Sequence, residues 1–326
     1  MKTPIMTDPD PTGWREHRFG LPAARWAALE GKSFWITGAG TGFGRSMACA
    51  LAAAGGQVIL TGRRREKLAE SLAAMEKLGI SAARCQIVTA DLTDRQQVNQ
   101  AAHLVMRLCP SLHGLINNAA LPSRPGSVSP LQNDPPEYWD RMLATNLTAP
   151  WLLTRAVLPH LLASGSPRVL FISSGAGWAA TPGLGVYNLT KAALNSLGHS
   201  LAQELARDHP GLDLQVNVLA AGEARTEMNQ GSDRTPFALA GMALALLSHP
   251  AGGPNGRFFT MDGQHLAFGH TQPHPSPLLE TSDQTQDPTQ GKRFFIHQCL
   301  DYDDGPADLR CLQALERFMV EGGGNL

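Results

Sequence analysis

Seven short apolar runs, at residues 33–37, 57–61, 84–90, 114–117, 168–173, 213–219 and 256–261, alternate with longer stretches of helical periodicity between residues 31 and 269. Runs this short have the length of strands, and their Val, Ile, Leu and Phe residues follow one another with little polar interruption. A strand apolar on both faces must be covered on both faces, which is the condition of a parallel sheet sandwiched by crossover helices. The alternation therefore predicts an α/β fold with a doubly wound, parallel, seven-stranded sheet. Connecting segments agree. The helical stretch 64–78 closes at Gly79, the residue type that ends helices in a left-handed conformation, and Asp134-Pro135-Pro136-Glu137 reads as the cap and first turn of a helix over 137–162.

The flanks read differently. Residues 1–30 hold four prolines and the cluster Arg15-Glu16-His17-Arg18, which predicts an irregular N-terminal arm wrapped on the surface with one helical turn near 23–29. Residues 270–291 collect four prolines and four glutamines with few large apolar side chains, the composition of a disordered linker. Residues 292–326 form a C-terminal tail that regains apolar content, with a short amphipathic helix expected at 307–320.

Charge narrows the partners. Lys and Arg number 27 against 28 Asp and Glu, a net charge of -1, which provides no basic footprint for nucleic acid and no polybasic membrane surface. The first residues lack a signal-peptide core, and no run approaches the ~18 apolar residues of a membrane span, so a cytoplasmic protein is expected. The five cysteines form no C-x-x-C pair, and His270 and His274 have no carboxylate or thiol at ligand spacing, so no metal site is expected.

The first run leads straight into Thr37-Gly38-Ala39-Gly40-Thr41-Gly42-Phe43-Gly44 and then a small-residue helical stretch. A glycine turn between a buried strand and a helix N-terminus suits a pyrophosphate, because backbone N–H groups and the helix dipole face the anion without Cβ obstruction. Gly38 would make the turn, Gly42 would allow close backbone approach, and Gly44 would let the helix pack on the sheet, with Thr41 and Phe43 between them on the cofactor side. After the second run the chain reads Gly62-Arg63-Arg64-Arg65, with glycine where an NAD site places its ribose-binding carboxylate. Arg63 is therefore read as the partner of a 2′-phosphate, which favours NADP(H) over NAD(H).

The fifth run ends at Ser173-Ser174, and Tyr187 and Lys191 follow with an i, i+4 spacing that puts phenol and ammonium on one helix face. A cation there favours the phenolate and lowers the tyrosine pKa toward working pH, making it a usable acid or base. Trp178, just beyond Ser174, is read as a wall of the substrate pocket.

The glycine turn, Asp91, Asn117-Asn118-Ala119-Ala120, Asn146, Ser174 and Tyr187-Asn188-Leu189-Thr190-Lys191 together resemble the short-chain dehydrogenase/reductase family, in the single-domain branch that includes 3-oxoacyl carrier-protein reductases and hydroxysteroid dehydrogenases. The resemblance spans residues 31–269 and implies a Rossmann-like, NAD(P)-binding domain. It implies that Tyr187 exchanges a proton with the substrate oxygen, that Ser174 hydrogen-bonds the same oxygen, and that Lys191 tunes the tyrosine and holds the nicotinamide ribose. By the same resemblance Asn146 positions a relay water, Asp91 and Leu92 contact the adenine, Asn118 and Ala119 line the central channel, and Thr226 contacts the carboxamide. Two positions depart from the family pattern: Ala221-Gly222 replaces Pro-Gly after the sixth run, and Ala120 replaces the last glycine of Asn-Asn-Ala-Gly.

The function so implied is NADP(H)-dependent reduction of a ketone, of acyl or other secondary-metabolite type, or oxidation of the corresponding alcohol. The short segment 227–235 predicts a small lid and a site open to a small-molecule or carrier-bound carbonyl. The family's helices at 137–162 and 187–209 imply a homodimer or homotetramer. Two alternatives are a non-catalytic NADP(H)-binding regulator or scaffold, against which the complete Ser174, Tyr187 and Lys191 set argues, and a sugar-nucleotide epimerase or dehydratase, which normally spaces its glycines differently and carries a larger substrate domain.

Overall fold

The computed structural model describes residues 17–122, 130–179 and 181–266. The first part of the arm (1–16), the linker at 270–291, the tail at 292–326 with its helix at 307–320, and His270 and His274 lie outside the described residues.

All seven expected strands form: β1 (Ser33–Thr37), β2 (Gln57–Gly62), β3 (Cys85–Thr89), β4 (Gly114–Asn117), β5 (Arg168–Ser173), β6 (Gln215–Ala220) and β7 (Phe258–Thr260). They are parallel, in the order β3-β2-β1-β4-β5-β6-β7, and β1, β4, β5 and β6 are buried at every position. Successive side chains point to opposite faces, so β1 sends Phe34 and Ile36 to one core and Trp35 to the other. On the first face Met47 and Leu51 of α2 (Gly42–Ala53), Leu68 and Met75 of α3 (Arg65–Lys77) and Leu244 of α8 (Ala240–Leu247) cover the sheet. On the second face lie α4 (Arg95–Leu108), α6 (Ala149–Leu162) and α7 (Val186–Asp208), through Val98, Leu153 and Leu194. The chain runs outward from β1 to β3 and restarts on the other side at β4. That reversal opens a crevice above the carboxyl ends of β1 and β4, where α/β sheets bind ligands. Among the described residues no helix is long and apolar enough to cross a membrane.

Four details depart from expectation. An eighth strand, β8 (His265–Leu266), pairs antiparallel with β7 through Phe259 and His265. Its turn is Asp262-Gly263, with Gly263 at φ +86° and Thr260 N donating to Gln264 O at 2.8 Å. Asp-Gly is a strong hairpin signal that the apolar-run pattern passed over.

The expected helix over 137–162 is divided into α5 (Pro136–Leu143), a π-helical segment (Ala144–Thr148) and α6. Asp134 does not cap α5, whose N-cap is Pro135. Its Oδ2 instead accepts from Val186 N, at 2.9 Å, on the first residue of α7. The described part of the arm, residues 17–30, forms its helical turn as α1 (Ala23–Ala27) and packs into the core instead of wrapping the surface. Phe19, Leu21 and Leu29 belong to the core, and the Phe19 ring stacks on Phe237 at 6.0 Å. Reaching that position puts Arg18 (φ 45°) and Phe19 (φ 51°) in the left-handed region, a cost that burial of the ring offsets.

Candidate active site

The crevice holds a cleft of about 400 Å³. Its floor is the glycine turn between β1 and α2. Gly38 turns the chain at φ +66°, and a Cβ there would meet Ala119 Cα at 2.8 Å. A Cβ on Gly44 would lie 2.2 Å from Gly38 O, so only glycine lets the start of α2 close on the turn. Asn118 locks the arrangement. Its Nδ2 donates to Thr37 O at 2.8 Å, while Thr37 Oγ1 accepts from the backbone N–H groups of Asn118 (3.0 Å) and Ala119 (3.1 Å). The Asn118 side chain thus braces the turn, and both Asn118 and Ala119 line the cleft. Thr41 is the N-cap of α2 but makes no side-chain cap bond, so the first-turn N–H groups of α2 are left to whatever occupies the cleft. Thr41, Gly42, Phe43 and Gly44 all line it. A Cβ-free cradle backed by a helix N-terminus fits the diphosphate of a dinucleotide.

At one end of the cleft stand Arg63 and Arg64, just past β2. Arg63 is exposed and has no hydrogen bond or ion pair among the described residues. Arg64 Nη2 pairs with Glu227 Oε2 at 2.6 Å, joining the rim after β2 to the loop after β6. Asp91 and Leu92 line the same end. Asp91 Oδ1 accepts from Thr93 N (2.9 Å) and Thr93 Oγ1 (2.8 Å), which holds the carboxylate beside the cleft, and Leu92 is buried.

At the other end β5 and α7 bring Ser174, Tyr187 and Lys191 together. Ser174 opens the short turn Gly175–Gly177, where its Oγ accepts from Ala176 N at 3.2 Å, and its hydroxyl hydrogen-bonds the Tyr187 phenol. Lys191 is 3% exposed; its Nζ donates to Ile172 O at 2.9 Å and lies 5.5 Å from the centre of the Tyr187 ring. Burial pushes the Tyr187 phenol above its ordinary range, against the bond from Ser174, and drives the Lys191 ammonium down to about 8. The lowered tyrosine pKa expected from the Lys191 charge is not what the chain alone shows: desolvation by burial outweighs the hydrogen bond from Ser174.

Asn146 sits in the π segment behind this group. Its Oδ1 accepts from Leu121 N at 2.7 Å, and its Nδ2 donates to Leu121 O (3.1 Å) and Thr190 Oγ1 (3.2 Å). The side chain thus ties the loop after β4 to the first turn of α7. Trp178 lies outside the lining of this cleft, and its exposed ring stacks 5.5 Å from that of Phe258 on β7.

Without the family's proline, the loop after β6 is held by hydrogen bonds at both ends. Ala221 is buried and donates to Ser173 O at 3.2 Å. Thr226 lines the cleft and is held in a turn in which its N donates to Asn229 O (2.9 Å) and its Oγ1 accepts from Asn229 N (3.1 Å). Residues missed from sequence are Arg64, Glu227, Leu121 and Thr145, all lining the cleft. Arg64 and Glu227 lie 163 positions apart, a separation no local pattern reports.

A family model described as short chain dehydrogenase matches residues 32–236. The gluconate 5-dehydrogenase of Gluconobacter oxydans (strain 621H) is 30% identical over 254 residues, covering 72% of this chain and 95% of that protein. Dehydrogenase/reductase SDR family member 4 of Bos taurus is 32% identical over 209 residues, covering 64% of this chain and 71% of that protein. A solved structure of a candidate short chain dehydrogenase from Shigella flexneri 2a str. 301, complexed with NADP, superposes with a TM-score of 0.65 at 28% identity, covering 73% of this chain and 99% of that one.

Proposed function

This chain belongs to the short-chain dehydrogenase family and is an NAD(P)-dependent oxidoreductase acting on CH–OH or C=O groups; we propose that it uses NADP(H) in preference to NAD(H) and interconverts a ketone with a secondary alcohol. The observation that carries the reading is the meeting of Ser174, Tyr187 and Lys191 at the inner end of a glycine-floored cleft. When bound, the nicotinamide supplies or accepts the hydride. The chain's own groups handle the proton and the charge. In reduction Tyr187 gives its phenolic proton to the carbonyl oxygen as that oxygen gains charge, and in oxidation the phenolate takes the proton from the alcohol. Ser174 hydrogen-bonds the same oxygen, and a protonated Lys191 stabilises the phenolate left behind. Asn146 holds α7 in place against the loop after β4, as a positioning residue.

The cofactor choice rests on Arg63, an unpartnered guanidinium among the described residues at the place where a 2′-phosphate would lie. Leu121, Pro122 and the half-exposed Met228 line the cleft as well, a surface that suits an acyl or other apolar ketone, small or carrier-bound, better than a polyol such as the gluconate of the Gluconobacter relative's name. Exposed Leu104 and Leu108 on α4 and Trp151 on α6 support a homodimer or homotetramer, which sedimentation velocity would reduce to a monomer if the assignment is wrong. The protein is proposed to work in the cytoplasm; fractionation with its activity in a membrane pellet would contradict that.

Fluorescence titration of the purified protein with NADPH and NADH, on wild type and Arg63→Ala, tests the reading. Expected is tighter binding of NADPH, by about tenfold or more, collapsing to parity in the variant. Equal affinities in the wild type overturn the preference, and a screen in which gluconate turns over while apolar ketones do not overturns the substrate class.

A further inference from the structure

Tyr187 is held from both directions along α7. On its C-terminal side, Thr190 Oγ1 accepts from Asn146 Nδ2 of the π segment, and Lys191 Nζ donates to Ile172 O on β5. On its N-terminal side, α7 begins at Val186, one residue before Tyr187, and the N-cap is Gly185, which has no side chain to offer the first turn. The bonds from Tyr187 N to Leu184 O (3.1 Å) and from Asn188 Nδ2 to Thr181 O (2.7 Å) stay within the helix and the segment leading into it. Among the described residues, one hydrogen bond ties the backbone on this side to another element. Val186 N donates to Asp134 Oδ2 at 2.9 Å, across 52 positions of sequence.

The carboxylate is delivered by a stiff support. A proline confines the residue before it to extended backbone, and Asp134, followed by Pro135, stands at ψ 124°. Pro135, at φ -66°, leads directly into α5 at Pro136. The helix is itself anchored, by the buried Met142 and by the Tyr138 hydroxyl, which donates to Pro122 O in the loop after β4. Pro122 lines the cleft, so one short helix connects a wall of the cleft to the start of the helix that carries Tyr187. A negative charge at a helix N-terminus is favoured by the helix dipole as well. We propose that Asp134 is a positioning residue for the reaction: by holding Val186 N it fixes the first turn of α7 and keeps the Tyr187 phenol within reach of Ser174 and of the substrate oxygen. The inference rests on the reading of Tyr187 as the group that exchanges the proton.

Asp134→Ala removes the acceptor, whereas Asp134→Asn removes the charge and keeps an oxygen for Val186 N. The first readout is the tyrosine itself, in the full chain without cofactor. The chain has three tyrosines, so isotope-labelled tyrosine gives one phenol-carbon signal for each, and the signal lost in Tyr187→Phe belongs to Tyr187. In wild type it is expected to titrate above the ordinary tyrosine value. In Asp134→Ala the midpoint is expected to fall by about half a pH unit or more, as the loosened turn admits water to the phenol, and in Asp134→Asn to stay as in wild type. With a ketone that the wild type reduces, Asp134→Ala is expected to lose turnover by about tenfold with KM and NADPH affinity held within about twofold, and Asp134→Asn to retain turnover. An unmoved Tyr187 midpoint in Asp134→Ala overturns the proposal. So does an equal fall in Asp134→Asn, which would make the charge and not the bond the cause, or a loss of NADPH affinity in step with turnover. Should Asp134→Ala not fold, hydrogen exchange in the wild type decides: the Val186 amide is expected to be protected, and exchange at the rate of an unbonded amide overturns the assignment. A wild type that binds neither NADPH nor NADH sinks the reading of the cleft, while the cofactor-free titration still reports what Asp134 holds.

Discussion

At the catalytic end of the cleft Lys191 keeps 3% of its surface in water, whereas at the far end the side chains of Arg64 and Glu227 keep 48% and 50%. Both ends carry charge, and the surroundings decide what that charge is worth. Around Lys191 and Tyr187 the protein has removed water from groups that ionise only at a cost, so small changes in occupancy or pH move their protonation. Around Arg64 solvent screens the pair, and the ion bridge contributes little to stability whatever its length. Chemistry is therefore concentrated where desolvation is strong. At the outer end, where we propose that the far half of the cofactor lies, the charges stay hydrated.

The sharpest way to break this contrast is Tyr187→Phe. Turnover is expected to fall by ~10²–10⁴-fold while dinucleotide affinity changes little; steady-state kinetics that keep more than a tenth of wild-type turnover would move the proton donor elsewhere.

A second, smaller effect is read in stability. An unfolded lysine titrates near ~10.4 and Lys191 in the fold near about 8, so between those values the unfolded chain holds the extra proton. Stability contributed by this residue therefore rises as pH climbs through that window, by up to roughly 3 kcal/mol, and Tyr187, raised by burial, opposes it only above its unfolded value of ~10. Urea unfolding across the window is expected to show the rise in wild type and a flattened profile in Lys191→Met. A flat wild-type profile would mean that water reaches the ammonium.

The smallest effect belongs to the outer end. Glu227→Gln frees Arg64 and is expected to tighten NADPH by less than about threefold at low salt, with the gain vanishing at high salt. A tenfold change persisting in salt would show the two ends to be coupled.

What could be read from sequence was what lies close along the chain. The i, i+4 spacing of Tyr187 and Lys191 and the glycine turn after β1 are local patterns, and both are placed as the sequence predicts. Spacing shows that two groups share a helix face, but not how much water surrounds them, so the direction of the Tyr187 shift was read the wrong way. Long-range pairings were equally hidden. Asp134 serves the start of α7 instead of α5, Trp178 finds Phe258 across the sheet edge, and the extra residue of the π segment leaves no periodicity signal in so short a window. The β8 hairpin was legible in Asp262-Gly263, yet a two-residue strand carries no apolar run to announce it.

That hairpin changes what the sheet presents at its margin. A parallel sheet ending at β7 would present Phe258, Phe259 and Thr260 with a free row of backbone donors and acceptors, the kind of short apolar margin on which another molecule's strand can add. Pairing with His265–Leu266 uses that row within the chain, so among the described residues the margin of the sheet on this side is a two-residue strand held by one reverse turn.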